Sequence, residues 1–183
     1  GILHIASSYS RRFEEVILQV PKGRSLKGIN VSANRGQTTI INASLENATL
    51  NTNSYLLRIE GSRIKNSKLT TPNIVNIFDT DLTDSQLEST EHHFHAENIK
   101  VYGKVELSSK NALSIMLTQK ESQEINLDLS SHHGPIYQLS RDESQRHPNE
   151  LSNPYKTEKT DAKGQLIAKA DDYISLETTA NRP

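Results

Sequence analysis

Apolar residues return along this chain at a nearly fixed interval, and that recurrence limits its fold more tightly than any other feature. Leu26, Leu45, Ile64, Leu82 and Val101 are spaced 19, 19, 18 and 19 residues apart. Other columns recur with them: Val31, Leu50, Leu69 and Leu87; Thr38, Leu57, Val75 and Phe94; Ile40, Ile59, Ile77 and Ala96. A period of about 20 residues marks a solenoid, in which each unit buries its apolar side only by stacking on its neighbours. Composition agrees. Hydrophobic residues make up 33% of the 183, aromatics 5%, and Trp is absent, too lean for a thick two-layer core but enough for a thin one built by repetition.

Within each unit the apolar period is two. In "LLRIE" Leu57 and Ile59 share a face, and in "NIVNIFD" Val75 and Ile77 do the same, so both read as short strands. The third residue after each repeat start is Ile29, Ala48, Ser67 or Ser85, mostly small, as a tight corner beside the core requires. Asn30, Asn34, Asn47, Asn53 and Asn66 suit corners because their amides bond the local backbone. Upstream, Val16, Leu18 and Val20 alternate in a strand stopped by Pro21 and Gly23. Downstream, Leu113 and Ile115 lie 19 residues after Phe94 and Ala96, and Ile125 and Leu127 begin another inward set. Further strands are expected around Leu166 to Ala168 and Tyr173 to Leu176.

The expected fold is therefore all-β, a single-stranded β-helix of about seven coils and, at ~4.8 Å per coil, roughly 35 Å long, with no helix of consequence. The whole of 1–183 reads as one domain: a repeat core over 14–130, a polar insertion over 139–164 that contains Pro148 and Pro154, and closing strands over 165–178. Loops longer than about 15 residues are either functional or disordered, and the sequence leaves both open for 139–164.

The segments "VILQVPKG", "LKGINVSANRGQTTIINASLENATLNTNS", "LRIEGSRIKNSKL" and "QLIAKADDYISLET" together resemble bacterial adhesin-type proteins with a DUF4097-type β-solenoid domain, over about residues 14 to 178. The match lies in strand, corner and spacing and includes no catalytic signature. "NRGQTTI", "EGSRI" and "ADDYI" stand here where such families often have an S-G-D-I corner. The resemblance implies right-handed winding and a place at the bacterial cell envelope, extracytoplasmic, with anchoring by a segment outside this sequence or by a membrane-bound partner. It also implies a link to adhesion or envelope stress.

Other classes fit poorly. The chain has no Cys, which excludes a disulfide scaffold and Cys-ligated zinc. With 21 basic and 22 acidic residues it offers no general field for nucleic acid. No apolar run approaches the ~18 residues of a membrane span, and a start at Gly1 in place of Met leaves any leader or anchor outside the sequence. No G-x-S-x-G elbow, P-loop or dinucleotide fingerprint occurs.

Four groups are candidates for chemistry. In "EHHFH", an inward Phe94 would turn His93 and His95 outward together, where two imidazoles could share a metal, though their expected neighbours Ile74, Asn76, Ala112 and Ser114 add no third ligand. A solvated pair is the preferred reading, and His132 with His133 is weaker still, since adjacent strand residues face opposite ways. Asp79, Asp81 and Asp84 could gather around Ca²⁺, but their spacing is not that of an EF-hand and turn-forming aspartates are preferred. Glycoside hydrolysis would need two facing carboxylates, and Glu60, Asp79 and Glu88 form no evident column opposite aromatic residues. Arg58, Arg63, Lys65 and Lys68 could form a strip for an anionic polymer on successive coils, with Lys22, Arg24 and Lys27, although charge ladders also serve solubility. The sequons "NVS", "NAS" and "NAT" read as corner asparagines.

The expectation is a non-enzymatic surface solenoid with no cofactor that binds a macromolecule: host matrix, glycan or bacterial envelope polymer. The alternatives are an envelope-stress regulatory or scaffolding domain docking on a membrane partner, and a carbohydrate-active enzyme with a shallow site on one face.

Overall fold

In the computed structural model, residues 3–6, 15–18, 29–32, 36–139 and 148–180 are described. The chain opens with β1 (Leu3–Ala6), β2 (Glu15–Leu18) and β3 (Ile29–Ser32). Three coils of three strands follow: β4 (Gln37–Ile41), β5 (Ser44–Glu46) and β6 (Thr49–Thr52); β7 (Leu56–Glu60), β8 (Arg63–Lys65) and β9 (Lys68–Thr71); β10 (Ile74–Phe78), β11 (Asp81–Thr83) and β12 (Gln86–Ser89). These define three sides. The first carries β4, β7 and β10, the second β5, β8 and β11, and the third β6, β9 and β12, all in parallel register.

The columns read from the sequence are the core. Leu45, Ile64, Leu82 and Val101 stack on the second side, Leu57, Val75, Phe94 and Leu113 on the first, and Leu50, Leu69 and Leu87 on the third, all buried. Each such side chain contributes about 1.5–3 kcal/mol of apolar burial, and only through the coils above and below it.

Corners follow the same period. Asn42, Gly61, Asp79 and Asn98 turn the chain from first to second side with φ of 51°, 57°, 48° and 52°. Asn47, Asn66, Asp84 and Gly103 turn it from second to third with φ of 52°, 47°, 45° and 61°. This left-handed conformation favours Gly, Asn and Asp over other residues. Each corner N–H donates to a carbonyl of the next rung, as from Asn47 to Lys65 (3.0 Å) and from Asn66 to Thr83 (3.0 Å), so the ladder passes unbroken around the bend. The small residues that follow are buried and paired. The Ser67 hydroxyl donates to the Lys65 carbonyl (2.7 Å) and accepts the Ala48 N–H (3.1 Å), and Ser85 does the same for Thr83 and Ser67.

Two expectations about register and corners need correction. Ile29 pairs with Leu50, not with the column of Ala48, and Glu15 pairs with Gln37, so the first interval is 21 to 22 residues. At Ile29 the departure from the 19-residue period is two, and residues two apart on a strand share a face, which is why an alternating pattern could not reveal it. Of the proposed corner asparagines, Asn47 and Asn66 hold left-handed corners, Asn30 lies within β3, Asn53 is not left-handed, and Asn34 lies outside the described residues.

Beyond the third full coil the section changes. β13 (Phe94–Glu97) continues the first side, and β14 (Lys100–Ser109) runs through the Gly103 corner to serve the second and third sides in one strand. After β15 (Leu113–Thr118) the helix α1 (Gln119–Glu124) leads into β16 (Ile125–Ser131) and β17 (Ile136–Leu139), and among the described residues no later strand continues the second side. The sequence predicts no helix of consequence, and α1 is six residues long. Thr118 and Glu121 form a reciprocal capping box that starts it.

The closing strands do not close the stack. β18 (Asn149–Leu151) and β19 (Tyr155–Lys156) are followed by β20 (Gly164–Ala170) and β21 (Ile174–Thr179). β20 is inserted between β14 and β16, and β21 between β15 and β17. The polar stretch 139–164, where described, supplies the end: β18 pairs antiparallel with β17 and β19 antiparallel with β16, while Leu151 and Tyr155 pack on the core. Among the described residues the first side thus has nine strands, eight of them parallel, against the seven or so coils expected.

Candidate binding surface

The basic residues proposed as a strip do not form one. Arg58, Arg63, Lys65 and Lys68 all belong to a single coil, with Arg58 on the first side, Arg63 and Lys65 on the second and Lys68 on the third. Ten residues are about half of a 19-residue coil, so the chain rounds two corners between Arg58 and Lys68. Three of them are paired: Arg58 with Glu60 (2.7 Å), Lys65 with Glu46 (3.2 Å) and Arg63 with Asp81 (3.4 Å). Lys22, Arg24 and Lys27 lie outside the described residues.

The three aspartates have architectural roles. Asp79 and Asp84 hold left-handed corners; Asp79 accepts from the Asn98 amide (3.1 Å) and Asp84 from the Lys104 N–H (2.9 Å). Asp81 lies in β11 between Arg63 and Lys100. They do not converge on one point.

His95 faces outward on β13 between Asn76 and Ser114, as the spacing requires, with Nε2 3.7 Å from Glu97 Oε2 and its ring 5.6 Å from that of Phe78. His93 is exposed just before the strand. His132 and His133 follow β16 in a bend, so strand alternation does not apply to them and their rings meet edge to face at 4.2 Å. Among the described residues no three His, Asp or Glu side chains are grouped to hold a metal ion. The sequon residues Asn42 and Asn47 are corner asparagines, and Asn30 is in a strand.

Two grooves among the described residues bear on binding. The larger, about 550 Å³, follows the corner between the second and third sides across four successive coils and is lined by Asn47 to Thr49, Asn66 to Lys68, Asp84 with Gln86, and Lys104 with Glu106. Its charged groups include Lys68, Lys104, Asp84 and Glu106. Lys104 Nζ lies 2.8 Å from Glu106, and this hydrogen bond holds the Glu106 carboxyl below the ordinary glutamate range. The second groove, about 470 Å³, lies where the second side stops, between Asp79, Asp81, Asn98, Lys100 and Tyr102 and the start of α1 with Lys163. Lys163 bonds Glu124 (2.9 Å) and lowers its pKa. Neither groove was foreseen. The first was legible in principle as one corner column; the second depends on α1, whose only sequence signal is T-x-x-E before a polar run.

A family model described as Toastrack DUF4097 matches residues 1–177. No curated protein and no solved structure matches the chain.

Proposed function

Because the chain belongs to the Toastrack DUF4097 family, we propose that it is a non-catalytic, extracytoplasmic solenoid of the bacterial cell envelope that binds a macromolecule along its lateral surface, as an adhesin does. The observation that carries this reading is the corner groove, which runs across four coils and takes polar residues from each. Such a groove follows an extended ligand; sites for small molecules are more enclosed and mostly apolar. Of the acids considered for catalysis, Glu60 holds Arg58, Asp79 maintains a corner and Glu88 lies apart from both on the third side, which supports the same reading. The groove carries cations and anions side by side, which suits a polymer with neutral hydroxyls or mixed charge over a pure polyanion.

The experiment is saturable binding of the labelled domain to host matrix proteins, host glycans and purified envelope polymers, repeated with Lys68→Glu. The expected result is one class of polymer bound and weakened at least severalfold by the substitution. Binding to none, or binding that ignores Lys68→Glu, would overturn it.

A docking role on a membrane-bound partner has one observation in its favour. Among the described residues, β1 and β2 are the outermost strands of their sheets at one end, whereas β18 and β19 cover the other. Unpaired strand edges template pairing. An end-on partner would bind equally well to the Lys68→Glu protein.

A further inference from the structure

On the first side, one outward column alternates without interruption. In spatial order it reads Ile41, Glu60, Phe78, Glu97, Met116, Glu177 and Leu139, each residue paired to the next across adjacent rungs. Ile41 and Leu139 are exposed and the five between them partly so. The order depends on the inserted coil. In chain order Leu139 would follow Met116 and Glu177 would come last, and the alternation would fail; β21 places the third glutamate between the last two apolar residues. The adjoining column carries Arg58 and His95, which flank Phe78 with the Arg58 guanidinium carbon 5.2 Å from the ring centre. Glu60 is bonded by Arg58 (2.7 Å) and Glu97 lies 3.7 Å from His95, so the basic neighbours stand in the adjoining column and the carboxylates in this one.

Its period selects a partner. Rungs recur at ~4.8 Å, so equivalent groups recur at ~9.6 Å. A polyproline II chain advances ~9.3 Å per three residues, and three of its turns stay within about 1 Å of six rungs. An α-helix at ~5.4 Å per turn would fall about 3.6 Å out of step over the same length, and an extended strand repeats at ~6.7 Å, no simple fraction of the spacing. A second copy of this chain would oppose glutamate to glutamate or to an apolar side chain. We propose that this strip docks a cationic polyproline II segment of roughly ten residues, with a base every third residue against Glu60, Glu97 and Glu177 and apolar residues between them over Phe78 and Met116. This is a different surface from the corner groove, so either can fail without the other.

The probe is a labelled peptide of four Lys-Pro-Pro repeats, titrated by fluorescence anisotropy at low and physiological salt. The expected result is saturable binding that weakens at least tenfold in Glu97→Lys and in Phe78→Ser and is unchanged in Glu88→Lys, which reverses a charge on the third side. A peptide of three Lys-Pro-Pro-Pro repeats, with bases ~12.4 Å apart, is expected to bind at least tenfold more weakly. Equal binding of the two peptides, equal damage from Glu88→Lys, or no binding at low salt would overturn the proposal. So would tighter binding of a β-linked glucosamine oligomer through the same residues, which would assign the strip to a polysaccharide. Circular dichroism on each variant separates lost binding from lost fold.

Discussion

Gly103 turns with φ of 61° at the point where β14 leaves the second side, and a Cβ built there would lie 2.1 Å from Asp84 Oδ1. That same oxygen accepts the Lys104 N–H, so it is not free to move aside without losing a bond. Gly103→Ala should therefore cost about 1–3 kcal/mol, read as a lowered midpoint in urea unfolding. Unchanged stability would show that the corner relaxes. Asn47 and Asn66 could be placed at corners from sequence because asparagine tolerates this conformation. The roles of Ser67 and Ser85 were only half legible. Their smallness marked a corner, but the bonds they make depend on carbonyls and N–H groups of neighbouring coils, which no single repeat displays.

Among the elements, α1 was the one the pattern concealed, because its six residues bury none of their side chains and so leave no apolar period. Its far end is held from a distance. Lys159 Nζ donates to the carbonyls of Ser122 and of Ile125 (2.8 Å), and its N–H donates to Asn126 Oδ1 (2.7 Å). Lys159→Met keeps the stem and removes the donors, and should destabilise by about 1 kcal/mol in urea unfolding. No loss would mean that water satisfies those carbonyls. Burial lowers the Lys159 pKa below the ordinary 10.5, so the unfolded chain binds more protons between the two values and stability should rise with pH there. Glu106 has the opposite relation to charge. Its pKa is lowered by Lys104, so its contribution is fully present above the ordinary 4.5 and is lost as pH falls through the lowered value. Unfolding measured across pH should show both slopes. Lys104→Met should flatten the acid one and Lys159→Met the alkaline one; slopes unaffected by these changes would contradict the assignments.

Across the whole molecule, stability is expected to be shared between neighbouring coils. Ile59 is wholly buried between Ile40 and Ile77, so Ile59→Asp would leave a carboxylate unpaired in the core at a cost above about 4 kcal/mol. The account expects cooperative loss of the flanking coils by hydrogen exchange; protected coils on either side would break it. The stacked columns were legible because repetition writes the same contact many times. The position of the last coil was not, since Leu166, Ala168, Ile174 and Leu176 would fit the end of the stack as well as its interior, and only the pairing partners distinguish the two. That position sets the order of the outer ladders. Its most direct test uses the absence of cysteine from the chain. Ser175 lies between Ser114 and Tyr137 on adjacent rungs, and disulfides form when Cα atoms are about 4.4–6.8 Å apart. Ser114→Cys with Ser175→Cys, and Ser175→Cys with Tyr137→Cys, should each oxidise to an intramolecular disulfide, while Ser114→Cys with Tyr137→Cys, two rungs apart, should not. Ready bonding of the third pair with failure of the first would place the last coil outside the stack and contradict the account.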